Sequence, residues 1–164
     1  MLTEPKFVEL SAKNYVAVRM RVTIPFADDV PPAFDELFEA LEKAGVETDG
    51  MEFFRYNLID MPRMEIDVAL VTDVVFPLSG RLVRSEIPGG KYASMTYTGP
   101  HDGLVDATAQ LIDWAKANDV RWDVEATVDG DRFASRLEVY ENNPGVEPDP
   151  QKLVTTILIK VADD

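Results

Sequence analysis

The sequence predicts an α+β domain made of two similar halves, each with the order strand, helix, strand, strand. Two segments repeat apolar residues at helical spacing, six alternate as strands do, and these segments occur in the same order twice. The joint lies around residues 74–86, which gives pseudo-repeats of about 6–73 and 81–163. We therefore expect antiparallel sheets with the helices outside and a central ligand groove along the pseudo-twofold axis.

Both predicted helices have one apolar stripe and recognisable ends. Asp29 and the Pro31-Pro32 pair mark the start of the first helix, and Gly45 marks its end. The second helix runs from about 103 to 118, and Asp102 is placed to cap its free amides. Each helix should pack against a sheet through its stripe, formed by Phe34, Leu37, Phe38, Leu41 and Ala44 in the first helix and by Leu104, Ala107, Thr108, Leu111 and Ala115 in the second.

The strands are predicted from alternation and from their content of β-branched residues. Asp129-Gly130 is a favourable hairpin turn and adds a short ribbon between Trp122 and Phe133, while Gly89-Gly90 turns the chain into the fourth strand. The six strands cover residues 15–22, 53–59, 64–71, 91–97, 137–140 and 154–161.

Length and composition indicate one domain over residues 1–164, because 46% apolar residues suffice for a single core. The net charge of −14 repels a polyanion, so direct binding of nucleic acid is not expected. The same charge favours cationic ligands or a basic protein partner, although solubility or a salty cytoplasm also explains it. The chain contains no cysteine, which excludes disulfides, thiolate metal sites and a cysteine nucleophile.

The N-terminus has no basic region followed by an apolar run, and no stretch reaches the roughly 18 apolar residues that a spanning helix needs. We therefore expect a cytoplasmic protein that is not inserted in a membrane. His101 is the only histidine, so a zinc or non-haem iron site with two or three imidazoles is excluded. No metal and no cofactor are expected.

The most informative residue is Glu138, in the strand that precedes the last one. Alternation places Leu137 and Val139 on one face, where we expect them to meet the helices, and Glu138 and Tyr140 on the other. A carboxylate beside aromatic rings in a groove favours a cationic amphipathic ligand through charge and ring quadrupole together. The alternative is a solvent-exposed glutamate on an ordinary half-buried strand.

Four segments match a known family in their order and spacing: 87–93 (IPGGKYA), 97–104 (YTGPHDGL), the helix end 111–114 (LIDW) and 137–144 (LEVYENNP). Together they resemble the gyrase-inhibitor-like domain, also called the effector-binding domain of AraC-type and MerR-type multidrug regulators. The resemblance is concentrated in residues 80–161, and the first half agrees mainly in layout. Because the fold already uses the first half, no room is left for a DNA-binding module, and the chain resembles the free-standing members.

The resemblance implies a groove for lipophilic, often cationic compounds, with Glu138 as the buried counter-charge. Free-standing members of the family include drug or toxin sequesterers, a gyrase-binding protein, and hydrolases that open the reactive cyclopropane rings of DNA-alkylating compounds. Three functions therefore stay open, namely small-molecule binding, hydrolysis, and inhibition of a partner such as DNA gyrase. In a hydrolase, Glu138 would act as general base while Tyr97 or Tyr140 donates a hydrogen bond to the developing anion.

Three further aromatic residues are candidates for the ligand site. Tyr56 is the first-half counterpart of Tyr140, and Phe54 takes the place of Glu138, so the groove would combine one carboxylate with one aromatic wall. Trp114 belongs either to the core or to a groove wall. The role of Trp122 stays open, because the segment around it is longer than the usual family spacing. The predicted ligand-binding residues are Glu138, Tyr140, Tyr97, Tyr56, Phe54 and Trp114.

Overall fold

A computed structural model describes residues 1–142 and 146–163. Asn143 and Pro144 of the family motif lie outside the described residues. In chain order the elements are β1 (Lys6–Leu10), β2 (Lys13–Thr23), α1 (Val30–Lys43), β3 (Glu52–Asp60), β4 (Arg63–Val71), β5 (Leu82–Ile87), β6 (Gly90–Thr98), α2 (Leu104–Ala117), β7 (Val124–Thr127), β8 (Gly130–Phe133), β9 (Arg136–Tyr140) and β10 (Val154–Lys160).

The strands form one antiparallel sheet that curls into a half-barrel. Its order is β1-β6-β10-β9-β3-β4-β2-β5, with the β7-β8 ribbon attached to β3. Exchanging β1 with β5, β2 with β6, β3 with β9 and β4 with β10 reproduces this order from the opposite end. The α+β class and the duplicated order of elements are therefore confirmed, and the pseudo-twofold axis passes between β3 and β9.

The two faces of the sheet bury different cores. On one face, Leu37 and Leu41 of α1 pack with Val16 and Val18 of β2, and α2 packs in the same way on the other half. On the opposite face, the described residues that fill the interior of the half-barrel belong to strands and loops. This inner cluster consists of Tyr15, Ala17, Phe53, Ala69, Ile87, Tyr92, Leu137, Val139 and Leu158. Complete burial of each large side chain stabilises the fold by about 1.5–3 kcal/mol.

The expectation that Leu137 and Val139 meet the helices is wrong. Both side chains belong to the inner cluster, which contains no helical residue. Glu138 and Tyr140 therefore point toward the face that carries the helices. Alternation separates the two faces of β9, but only the curl of the sheet determines which face the helices cover.

The six predicted strands are present, with ends within two residues of the predicted ones, and the ribbon is formed by β7 and β8. The predicted cap of the second helix is wrong, because residues 101–103 form a 3-10 turn and Gly103, not Asp102, occupies the cap position. Two strands, β1 and β5, were not predicted, and β5 begins within the expected joint. None of the helices in the described part of the chain has the length and apolar character needed to cross a bilayer.

Candidate functional site

The candidate site lies on the central strand pair, between the two helices. Helix α1 packs over β2 and β4, and α2 packs over β6, so β3 and β9 run between them. In this pair Phe54 is directly opposite Glu138, and both side chains are on the helix face. The two pseudo-symmetric positions therefore meet at the axis, one with a carboxylate and the other with a phenyl ring, as the sequence predicts.

Two tyrosine hydroxyls hold the carboxylate of Glu138. Tyr56 of β3 donates to Oε1 at 2.7 Å, and Tyr140, two residues along β9, donates to the same atom at 3.0 Å. The Glu138 residue is only 9% exposed. Among residues 1–142 and 146–163, no side chain or amide donates to Oε2, and no Lys, Arg or His nitrogen lies within 4.0 Å of the carboxylate.

Burial controls the ionisation of this cluster. It raises the pKa of Glu138, while the two phenol hydrogen bonds and the charge of Arg136 oppose the rise. Burial and the nearby carboxylate raise the pKa values of Tyr56 and Tyr140 well above their usual range. Both phenols are therefore protonated at neutral pH and remain donors to Glu138.

The raised pKa predicts how stability depends on pH. A carboxyl group with a folded-state pKa above its unfolded value of 4.5 contributes stability that is lost as pH rises through the folded pKa. Relative to Glu138→Gln, wild type should therefore lose free energy of unfolding as the pH rises above 4.5. Guanidinium denaturation of both proteins across this pH range measures the difference. If the difference in free energy of unfolding stays constant, or changes in favour of wild type as the pH rises, the raised pKa of Glu138 is contradicted.

A row of aromatic rings crosses the site from α1 to the start of α2. Phe34 of α1 stacks on Phe54 with ring centroids 5.9 Å apart, Phe54 meets Tyr140 edge-on at 5.1 Å, and Tyr140 meets His101 at 5.3 Å. Phe38 extends the row beyond Phe34. Burial lowers the pKa of His101, which favours the neutral ring. Flat apolar walls of this kind suit an aromatic ligand.

Sequence analysis placed Phe34 and Phe38 only in the apolar stripe of the helix. Their spacing of four residues does put them on one helix face. The pattern within the helix does not show, however, that this face borders β3 and not the sheet edge. The sequence identifies His101 only as a possible metal ligand, and its place beside Tyr140 follows from no local pattern. Among the described residues, no group of three His, Asp or Glu side chains is arranged to hold a metal.

Arg136 is a further site residue that sequence analysis did not single out. It lies two residues before Glu138 on β9, so its side chain shares the helix face. Its Cζ atom is 4.9 Å from the ring centroid of Phe133 and 5.8 Å from that of Tyr56. Burial lowers the pKa of Arg136, and electrostatic interactions with Tyr56 and Glu138 oppose that effect. The alternation that selected Glu138 and Tyr140 also includes this residue.

Tyr97 and Trp114 are held by other contacts. The Tyr97 hydroxyl donates to the carbonyl of Pro100 at 2.8 Å, and the residue lies on β6, two strands from Tyr140. Its hydroxyl fills the space that a Cβ at Gly103 would need. Trp114 packs on Phe7 of edge strand β1, with centroids 5.5 Å apart. The structure thus brings Phe54, Tyr56 and Tyr140 to Glu138, and it uses Tyr97 and Trp114 to seat α2.

The open cavities lie away from Glu138. One of about 420 Å³ separates α1 from residues 76–82, and one of about 320 Å³ lies beside the tip of the β7-β8 ribbon. Glu138 lines neither of them. Glu138 and Phe54 are both largely covered by neighbouring side chains in this conformation.

Comparison with solved structures shows the same fold in several proteins. The chain matches the C-terminal domain of EcmrR with a TM-score of 0.69 and 17% identity, covering 98% of each chain. In the EcmrR-DNA complex the TM-score is 0.76 at 17% identity; there the match covers 98% of this chain but 58% of EcmrR. SAV2435 bound to tetraphenylphosphonium matches with a TM-score of 0.60 at 11% identity, over 98% and 94% of the two chains.

A hydrolase from Listeria innocua matches with a TM-score of 0.60 at 16% identity, over 97% of this chain and 92% of that one. No curated protein sequence matches the chain. The model of the GyrI-like small molecule binding domain matches residues 3–162, nearly the whole chain. Because this family model covers nearly the whole chain, and the duplicated strand order is consistent with it, the chain belongs to the family of GyrI-like small-molecule-binding domains.

Proposed function

We propose that this domain binds a lipophilic, cationic small molecule between α1 and α2, with Glu138 as the counter-charge. The observation that carries the proposal is the buried carboxylate of Glu138, whose neighbours within hydrogen-bonding reach are two neutral phenols. Removing a carboxylate from water is costly unless an opposite charge compensates it. A cationic ligand supplies that charge and gains more from it than it would in water, because the surroundings are apolar.

The aromatic row supports the same ligand class. Phe34, Phe54 and Tyr140 form a row of rings beside the carboxylate; ring faces attract a cation, and the rings together can cover a flat apolar body. The fold neighbour SAV2435 has been solved with a lipophilic cation, tetraphenylphosphonium. That ligand belongs to SAV2435, and it makes a suitable probe for this chain.

Binding at Glu138 requires neighbouring side chains to move, because the residue is largely covered. Phe54 is 6% exposed, so a ligand of drug size reaches the carboxylate only after Tyr56, Phe34 or both change rotamer. In the absence of ligand, the two phenols satisfy Oε1 of Glu138. The site is therefore a closed polar cluster that opens for a ligand, and part of the binding energy is spent on opening it.

Hydrolysis is a second candidate, and one observation favours it. Burial raises the pKa of Glu138, which makes the carboxylate a better general base for a water molecule. A cyclopropane-bearing electrophile incubated with the protein separates the two functions. If the compound binds in calorimetry and is recovered unchanged, the domain is a binding protein, whereas conversion that is lost in Glu138→Gln indicates a hydrolase.

The charge selectivity of binding tests the proposal directly. Tetraphenylphosphonium and tetraphenylborate share size and shape and differ in the sign of their charge. We expect calorimetry to give at least tenfold tighter binding of the cation, since Glu138 compensates only a positive charge. About 0.5 M sodium chloride screens the long-range field of the acidic surface, so that the difference reports the site. Equal binding of both ions, or tighter binding of the borate, contradicts the proposal.

A further inference from the structure

Arg136 adds a second charge to the site, and the proposed binding of a cation at Glu138 does not use it. Its guanidinium lies between the rings of Phe133 and Tyr56. Within residues 1–142 and 146–163, no group accepts a hydrogen bond from Arg136, and no carboxylate lies within 4.0 Å of it. Arg136 is half-buried, and its nitrogens are not among the side-chain atoms that are both buried and unpaired, so water reaches its donors in this conformation. A guanidinium carries five donors, and a ligand that covers them has to accept hydrogen bonds from them.

The arrangement keeps Arg136 and Glu138 apart although they are neighbours on one face. Positions two apart on a strand are separated by roughly 7 Å along the strand axis. Tyr56 stands between them, with its hydroxyl on Glu138 and its ring beside the guanidinium. The ring of Tyr56 thus stands beside both opposite charges, which do not pair directly with each other, and each retains hydrogen-bonding capacity for a ligand.

The two flanking rings also orient the guanidinium. Contact with ring faces leaves the N–H edge of an arginine free for a planar acceptor, and the fork of that edge matches a carboxylate with two parallel hydrogen bonds. A monocation in the site would leave these donors unpaired and would place a second positive charge near the guanidinium. A ligand that carries both a cationic and an anionic group can pair with Glu138 and Arg136 at the same time.

We propose that Arg136 forms an anion subsite, and that the preferred ligand is a zwitterionic aromatic compound with its cation at Glu138 and a carboxylate at Arg136. The aromatic body of the ligand would bridge the two charges beside Tyr56, whose hydroxyl bonds to Glu138 and whose ring lies next to the guanidinium. This inference rests on the proposed function, because it assigns the anion-binding part of the same site.

Rhodamine B and its ethyl ester test the inference as a matched pair. Both carry the same cationic aromatic body, and only rhodamine B has a carboxylate. Calorimetry with wild type, Arg136→Met and Glu138→Gln gives the ratio of the ester Kd to the rhodamine B Kd for each protein. In Arg136→Met this ratio should fall at least tenfold, because the zwitterion loses its partner while the ester loses a repelling charge. Arg136→Gln serves the same purpose if the methionine variant does not fold.

The outcomes separate this inference from the proposed function. If wild type binds neither dye, or if Glu138→Gln binds the ester as wild type does, the proposed function fails and the inference fails with it. If both dyes bind in a Glu138-dependent manner but the ratio changes less than tenfold in the Arg136 variant, only the anion subsite is overturned.

Discussion

Glu138→Gln is expected to weaken the binding of tetraphenylphosphonium about thirtyfold, which corresponds to a loss of about 2 kcal/mol. The reason is electrostatic: a charge pair at an effective dielectric constant near 20 contributes a few kcal/mol, part of which the desolvation of both ions offsets. Glutamine keeps the size of the side chain and an oxygen that accepts from Tyr56 and Tyr140. The change therefore removes the charge and leaves the shape of the site.

Glu42→Gln is the matched control. Glu42 is exposed on α1, so its replacement changes the net charge by the same amount without touching the site. Calorimetry should give its Kd within twofold of the wild-type value at about 0.5 M salt, where surface charges are screened. A loss of less than threefold in Glu138→Gln, or an equal loss in both variants, contradicts the role of Glu138 as counter-charge.

Asp67→Ala is expected to reduce the free energy of unfolding by about 3 kcal/mol. Asp67 on β4 is completely buried at the inner face of the half-barrel. Its carboxylate accepts from Tyr15 at 2.6 Å and from Arg19 at 2.8 and 3.0 Å, and its hydrogen bonds and charge raise the pKa of Arg19. Removing it leaves a buried phenol and a guanidinium without acceptors. Because the Arg19 side chain is 37% exposed, we expect the lower end of the usual cost of breaking a buried pair.

The exposed pair between Glu39 and Lys43 on α1 provides the comparison. Both side chains are mostly exposed, and an i,i+4 pair of this kind contributes only about 0.3–0.5 kcal/mol. Urea denaturation of Asp67→Ala and Glu39→Gln at neutral pH measures the loss of free energy of unfolding in each variant, so that the two losses can be compared directly. Equal, small losses in the two variants would mean that the Asp67 network contributes no more than a surface ion pair.

The sequence alone predicts the repeated order of elements and the central position of Glu138. Both follow from local chemistry, because alternation along a strand and apolar spacing along a helix reflect burial on one side. The edge strands β1 and β5 escaped prediction because they are short and only partly buried, so their pattern is weak. Their pairing also joins the two halves, β1 to β6 and β5 to β2, across long stretches of sequence.

Only the tertiary structure determines which residues surround Glu138. Periodicity shows that Glu138 and Leu137 face opposite sides, but the curl of the sheet decides that Leu137 enters the inner core while Glu138 meets the helix face. Phe34 comes from α1, more than a hundred residues away in sequence, so no local pattern connects it to the carboxylate. Arg136 shares the strand of Glu138, yet whether the two charges pair depends on where the Tyr56 ring packs. Contacts of this kind arise from packing between distant segments, which the pattern within any one segment does not contain.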